Sequence, residues 1–218
     1  MLETIQVIQK KVKHANLKVK PNQEIILTVP LGTGKSAIEH IINKRTDWIK
    51  KQLEFFKQNI KPIPELISGE DFFFLGRSYR LKINEGNSDY VELTNDGYFI
   101  ITLKDKDNHH KKTQLVDSWY KEKALYHFSK IMEKYTQIIN KSVNKVTIRR
   151  MKTRWGSCNP KNSYINLNLE LIKKDIRGIE YVVLHELAHL THYNHDKKFY
   201  GYVASYMPDW KNRKKLLG

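Results

Sequence analysis

The sequence predicts an α+β protein with a β-rich N-terminal half that carries one helix, followed by a helical half with a small sheet. Three observations carry that expectation. Short apolar runs, such as Ile25-Ile26-Leu27-Thr28-Val29, end at turn-forming residues. Two long stretches repeat apolar residues at helical spacing. A second set of short strand-like runs then flanks the segment Thr153-Arg154-Trp155-Gly156-Ser157-Cys158 before the chain turns helical again.

Residues 4 to 30 read as strands of a small sheet, broken by lysines and by Pro21-Asn22. After Gly32-Thr33-Gly34, the spacing of Ile38, Ile41, Ile42, Trp48, Ile49, Leu53 and Phe56 predicts a helix over about 36 to 58, with Ser36 as its N-cap. The run Gly32 to Ser36 resembles a phosphate-binding loop, but Val29 stands where that loop needs its first glycine, so the run reads as a turn. Phe72 to Phe74, Tyr79 to Ile83 and Tyr90 to Leu103 predict further strands. The polar run at 104 to 110 reads as a linker with His109 and His110 exposed, which divides the chain into a region 1–108 and a catalytic region 109–218. From 112 to 140, Leu115, Trp119, Phe128, Met132 and Tyr135 mark a long helix. Strands at Val146 to Arg150 and Tyr164 to Leu169 follow, then helices over about 177 to 193 and from about 196.

Composition narrows the class. With 40% hydrophobic residues the chain can bury a core. No signal-like or membrane-spanning segment is seen and Cys158 is the only cysteine, so a cytoplasmic protein without disulfides or membrane partner is expected. The net charge of +16, from 39 basic against 23 acidic side chains, admits nucleic acid as a partner through a basic surface. The cations are mostly lysines spread along the chain, which fits a Lys-rich composition better than a dedicated stripe.

The chemistry concentrates in His185-Glu186-Leu187-Ala188-His189, inside the apolar stretch Ile179 to Leu184. Four residues advance a helix by about 400°, so the two imidazoles share a face and can hold one ion, while Glu186 sits beside them. A hydrolytic zinc ion takes three protein ligands and keeps one open position. His195 is the expected third ligand, swung back by a turn at Tyr193-Asn194 that ends the helix in left-handed geometry. His192 competes only if the helix persists. Arg154 and Trp155 offer a transition-state donor or a brace, with bracing the better reading; Tyr193, Tyr200 and Tyr206 are placed to polarise a substrate oxygen in principle, though aromatics on helices more often belong to the core. Cys158 reads as a small buried residue.

The strings Arg154-Trp155-Gly156-Ser157-Cys158, Ile165-Asn166-Leu167-Asn168, Tyr181 to Leu190, Asn194-His195, Phe199 and Pro208-Asp209-Trp210 resemble the YgjP-like metal-dependent hydrolases, relatives of the SprT and WLM peptidases. Leu75-Gly76-Arg77 and Trp48-Ile49 extend the likeness upstream, over nearly the whole chain. The resemblance implies a gluzincin-like core with His185, His189 and His195 on zinc and Glu186 as general base in peptide hydrolysis. Two departures stand out: Lys10 to Lys20 lacks an Arg-rich pattern, and Asp196 follows His195 where many members have Ser. The run His195 to Tyr200 is closer to the WLM branch, whose members are similar to DNA-protein crosslink proteases. The expected function is a zinc-dependent metallopeptidase with a protein or peptide substrate. The alternatives are a metal-dependent nucleotide (UTP) pyrophosphatase and a nucleic-acid-associated protein with DNA-directed protease activity. Oligomeric state is not legible.

Overall fold

The computed structural model describes residues 5–20, 22–58 and 65–218. The chain forms two compact units that divide between residues 63 and 64.

In the first unit, β1 (Ile5–Lys10) pairs parallel with β3 (Ile25–Pro30), and β2 (Asn16–Val19) pairs antiparallel with its other edge. Ile25, Leu27 and Val29 alternate inward, as a two-residue strand period demands. Ile42 and Ile49, one heptad apart on α1 (Lys35–Gln58), complete this core. The helix starts at Lys35, so Ser36 is its second residue and not the expected cap; termini shift this easily where the first carbonyl bonds, as in Ile38 N–H to Gly34 O. Gly32 has φ of 78°, in keeping with the turn expected there.

The second unit holds two sheets. In one the order is β4 (Asp71–Phe74), β5 (Arg77–Glu85), β7 (Tyr98–Leu103), β6 (Tyr90–Leu93), with β5 and β7 parallel. The other runs β8 (Lys145–Arg149), β10 (Tyr164–Asn168), β9 (Gly156–Asn159), with β9 antiparallel at the edge. Half of the segment expected as a turn at 153–158 is thus a strand, because Gly156, Ser157 and Cys158 find ladder partners in Leu167, Asn166 and Ile165. The helices are α2 (His109–Ile139), α3 (Ile176–Ala188), α4 (Lys197–Tyr206) and α5 (Trp210–Lys215).

The division at residue 108 expected from the polar run is a different cut from the one seen. Phe72, Leu81, Phe99 and Ile101 of the first sheet pack in one core with Trp119, Tyr120 and Phe128 of α2 and with Ile165, Val183 and Leu184 around α3. Apolar area shared in this way cannot be divided without exposing both faces. His109 and His110 begin α2 instead of lying in a linker, because the Asn108 side chain accepts a hydrogen bond from Lys111 N–H and caps the helix; both rings are exposed, as expected. Among the described residues, no helix is long and apolar enough to cross a membrane.

One contact sets the entry of α3. The Leu75-Gly76 turn donates N–H groups to the carbonyls of Ile172 and Lys173, at 2.9 and 3.3 Å. Gly76 has φ of 80° and lies so near Asp175 that an added Cβ would be 2.8 Å from its Cα. Asp175 in turn caps α3, accepting from Arg177 N–H at 2.8 Å.

Candidate metal centre

His185 stands in the last turn of α3, and His189 is its C-cap residue. The helix closes earlier than the expected 193: Thr191 N–H and His192 N–H both bond to Ala188 O, at 3.0 and 2.9 Å. The turn does not use a left-handed Asn194, since Asn194 is not among the residues of positive φ. The cause is local. The His189 ring takes up the carbonyl of His192, with Nδ1 and O 3.0 Å apart, and this bond holds the chain in a tight bend. With the helix ended, the His192 ring leaves the centre and packs on Tyr202, with centroids 5.1 Å apart.

The bend delivers His195. Its Nε2 lies 3.0 Å from that of His189 and 2.8 Å from that of His185, and one ligand atom from each ring falls within 4.8 Å of the others. The Asp196 side chain accepts from Phe199 N–H at 2.9 Å and caps α4, which fixes the backbone of His195. Phe199, fully buried, touches all three rings at 4.7 to 4.9 Å.

These residues fit a divalent ion. Donors on a tetrahedral zinc with bonds of about 2.0–2.1 Å lie about 3.3 Å apart, a few tenths of an ångström beyond the spacing seen here. The His192 carbonyl can only accept, so Nδ1–H of His189 donates to it and the Nε2 lone pair of His189 faces the centre; the Tyr181 hydroxyl, 3.3 Å from Nδ1 of His185, accepts from that ring when its Nε2 ligates an ion. Burial, with His189 and His195 adding, pushes the His185 imidazole down to about 3, and this keeps it neutral and able to ligate.

Glu186 is 6% exposed and lies against the backbone of Gly156 on β9. Burial pushes its carboxyl up to about 7, with Arg154 opposing. A proton acceptor tuned there works near neutral pH. Cys158, half-buried nearby, has its thiol pushed up to about 11 by burial with Glu186 adding, so it is a poor nucleophile.

A cavity of about 600 Å³ opens over these groups, and Arg154, Trp155, Tyr181 and Lys214 also line it. The loop carrying Arg154 and Trp155 is held by buried Asn168. Its amide donates to Met151 O at 2.9 Å and Arg154 O at 3.0 Å, and its carbonyl oxygen accepts from Met151 N–H at 3.1 Å. Trp155 is braced by Lys174, with Nζ 5.3 Å from the ring centroid. Tyr200 stacks at 6.1 Å on His195 and at 4.7 Å on Trp210, which stacks on Tyr181 at 6.1 Å. Tyr193 also lines the cavity.

Sequence reasoning passed over Tyr181, Gly156, Lys214 and Trp210 as site residues. Tyr181 had a signal, since it lies one helical turn before His185. Gly156 was in view only as part of a turn and of the family string, and Lys214 carried no signal of its own.

The arrangement is that of a metal-binding hydrolase centre: three converging imidazoles with a buried carboxylate at the mouth of a cavity. The family model described as YgjP-like, metallopeptidase domain, matches residues 13–218, and the chain belongs to that family. No curated protein matches the chain. Among solved structures it is similar to the metallopeptidase zymogen jannalysin of Methanocaldococcus jannaschii, at 24% identity over 40% of this chain and 83% of that one, with a TM-score of 0.36. It is likewise similar to the metallopeptidase zymogen abylysin of Pyrococcus abyssi, at 22% identity over 40% and 89%, with a TM-score of 0.37.

Proposed function

We propose that the protein is a zinc-dependent peptidase in which His185, His189 and His195 hold the ion and Glu186 is the general base. The observation that carries this reading is the convergence of three imidazole nitrogens beside one buried carboxylate at an open cavity. An all-imidazole donor set suits zinc better than magnesium or calcium, which favour oxygen ligands. Bound there, the ion supplies Lewis acidity to a carbonyl and acidity to a water.

The chain's own residues supply the rest. Glu186 takes a proton from the water whose oxygen attacks the peptide carbonyl, and returns it to the amine nitrogen as the C–N bond breaks. Burial shields its carboxyl from solvent, and the backbone of Gly156 fixes where it stands. Tyr181 orients His185, the His192 carbonyl orients His189, and Tyr200 backs His195. Trp155 braces the cavity wall. One helix bears two ligands and the base, and the third ligand lies downstream. The imidazole set weighs against a nucleotide pyrophosphatase, whose substrate phosphates are bridged by magnesium held on carboxylates. Delivery to nucleic-acid-bound substrates rests on the net charge alone.

The test is metal content by elemental mass spectrometry on wild type and Glu186→Gln, with casein, peptides and UTP assayed on the same samples. Near one zinc per chain in both and proteolysis lost only in the variant supports the reading. Absence of zinc from the wild type, or hydrolysis of UTP alone, overturns it.

A further inference from the structure

We propose that Arg154 and Lys214 form an anion subsite in the wall of the metal cavity that takes a carboxylate of the substrate. That carboxylate is either an Asp or Glu side chain next to the scissile bond or the peptide's own C-terminus. The inference rests on the peptidase reading above and names its substrate class.

Two segments distant in sequence bring these cations to one cavity: the loop clamped by Asn168 carries Arg154, and the last turn of α5 carries Lys214. Neither forms an ion pair among the described residues. Their basic neighbours do: Arg213 is held by Glu180 and Asp209, Lys134 by Glu180, and Arg150 by Asp117 and Glu170. Among the described residues Glu186 is the only carboxylate that lines the cavity, and it is buried.

An incoming ligand therefore meets two uncompensated cations beside the apolar side chains of Trp155 and Leu217. A single carboxylate on a peptide matches that balance. A nucleoside triphosphate carries several more negative charges than two monocations neutralise, and it offers little to the apolar wall. Exposed ion pairs of this kind each give about a threefold effect, and two multiply to roughly tenfold.

The test compares quenched peptides that differ only in Glu or Gln beside the scissile bond, or in a free or amidated C-terminus. Cleavage is followed with the zinc-loaded enzyme. Binding of the same peptides and of UTP is measured by calorimetry on zinc-loaded Glu186→Gln, so that affinity is read without turnover. The expected result is a roughly tenfold preference for one carboxylate-bearing series in KM and in Kd. The preference should collapse in Arg154→Gln/Lys214→Met and weaken with added salt, and the series that shows it identifies the source of the carboxylate. Equal binding of acid and neutral peptides, a preference that survives in the double variant, or binding of UTP alone would overturn the subsite. If the wild type cleaves no peptide, the peptidase reading fails, and the binding arm still decides the subsite.

Discussion

Gly156 and Glu186 exclude one another's side chains: a Cβ added at residue 156 would stand 2.6 Å from Oε1 and 2.7 Å from Cγ of Glu186. The carboxylate is buried and cannot swing aside, so Gly156→Ala has to displace either the base or the strand. A displacement near 1 Å costs on the order of a hundredfold in rate. Steady-state kinetics should show that loss in kcat with zinc content near that of wild type. Full activity would mean that the carboxylate's position is not what β9 fixes.

Metal-free protein should be stabilised by Glu186→Gln at alkaline pH. The carboxyl's folded value, raised to about 7, lies above the unfolded value of 4.5. The stability linked to it is therefore intact below 4.5 and is lost as pH rises through 7. At pH 8 the buried charge costs roughly 3 kcal/mol. Calorimetry in chelator should find the variant's Tm several degrees above wild type at pH 8, with the gain shrinking toward pH 5. A gain independent of pH would show that the carboxylate charge is not its source.

Tyr181→Phe removes the oxygen 3.3 Å from His185 Nδ1. Loss of such an orienting partner weakens metal binding about 10- to 100-fold, which competition against a chromophoric chelator would read. An affinity equal to wild type would show that the hydroxyl is a bystander.

His192→Ala should retain zinc, because the contribution of residue 192 is its backbone carbonyl. His195→Ala should not. Elemental analysis of both distinguishes them, and zinc lost from the first but kept by the second would exchange their roles.

Much of the centre was legible because local chemistry wrote it. The i, i+4 pair His185 and His189 and the adjacent Glu186 follow from helical geometry alone, and α3 runs through all of the apolar stretch that marked it. His195 was reached by a sound argument with the wrong turn. The bend arises from a side chain bonding to a carbonyl three residues on, which no propensity at Tyr193-Asn194 discloses. The division between units was hidden for another reason. Polar residues at 104–110 signal solvent, but they do not say whether the strands before them share a core with the helix after them, and Phe99 and Trp119 do, with rings 4.9 Å apart. Gly156 was misjudged because closeness to Glu186, 30 residues away, is a tertiary fact.

Arg213→Ala should loosen α5. Its guanidinium bonds Glu180 on α3 and Asp209, and both it and Glu180 are mostly shielded from solvent. Truncation leaves Glu180 with Lys134 alone. A loss of about 1–2 kcal/mol is expected in urea unfolding. A variant as stable as wild type would place the anchoring of α5 in its apolar contacts.

The stack that runs from His195 through Tyr200 and Trp210 to Tyr181 gives the protein its own optical gauge. The Trp210 indole is sandwiched between two phenols, Tyr200 resting on the His195 ring and Tyr181 beside His185. Any shift of the imidazoles as an ion arrives passes to the indole through rigid ring faces. Emission from Trp210, isolated by replacing the other tryptophans with phenylalanine, should therefore change in step with loading, and metal uptake can be timed without a dye.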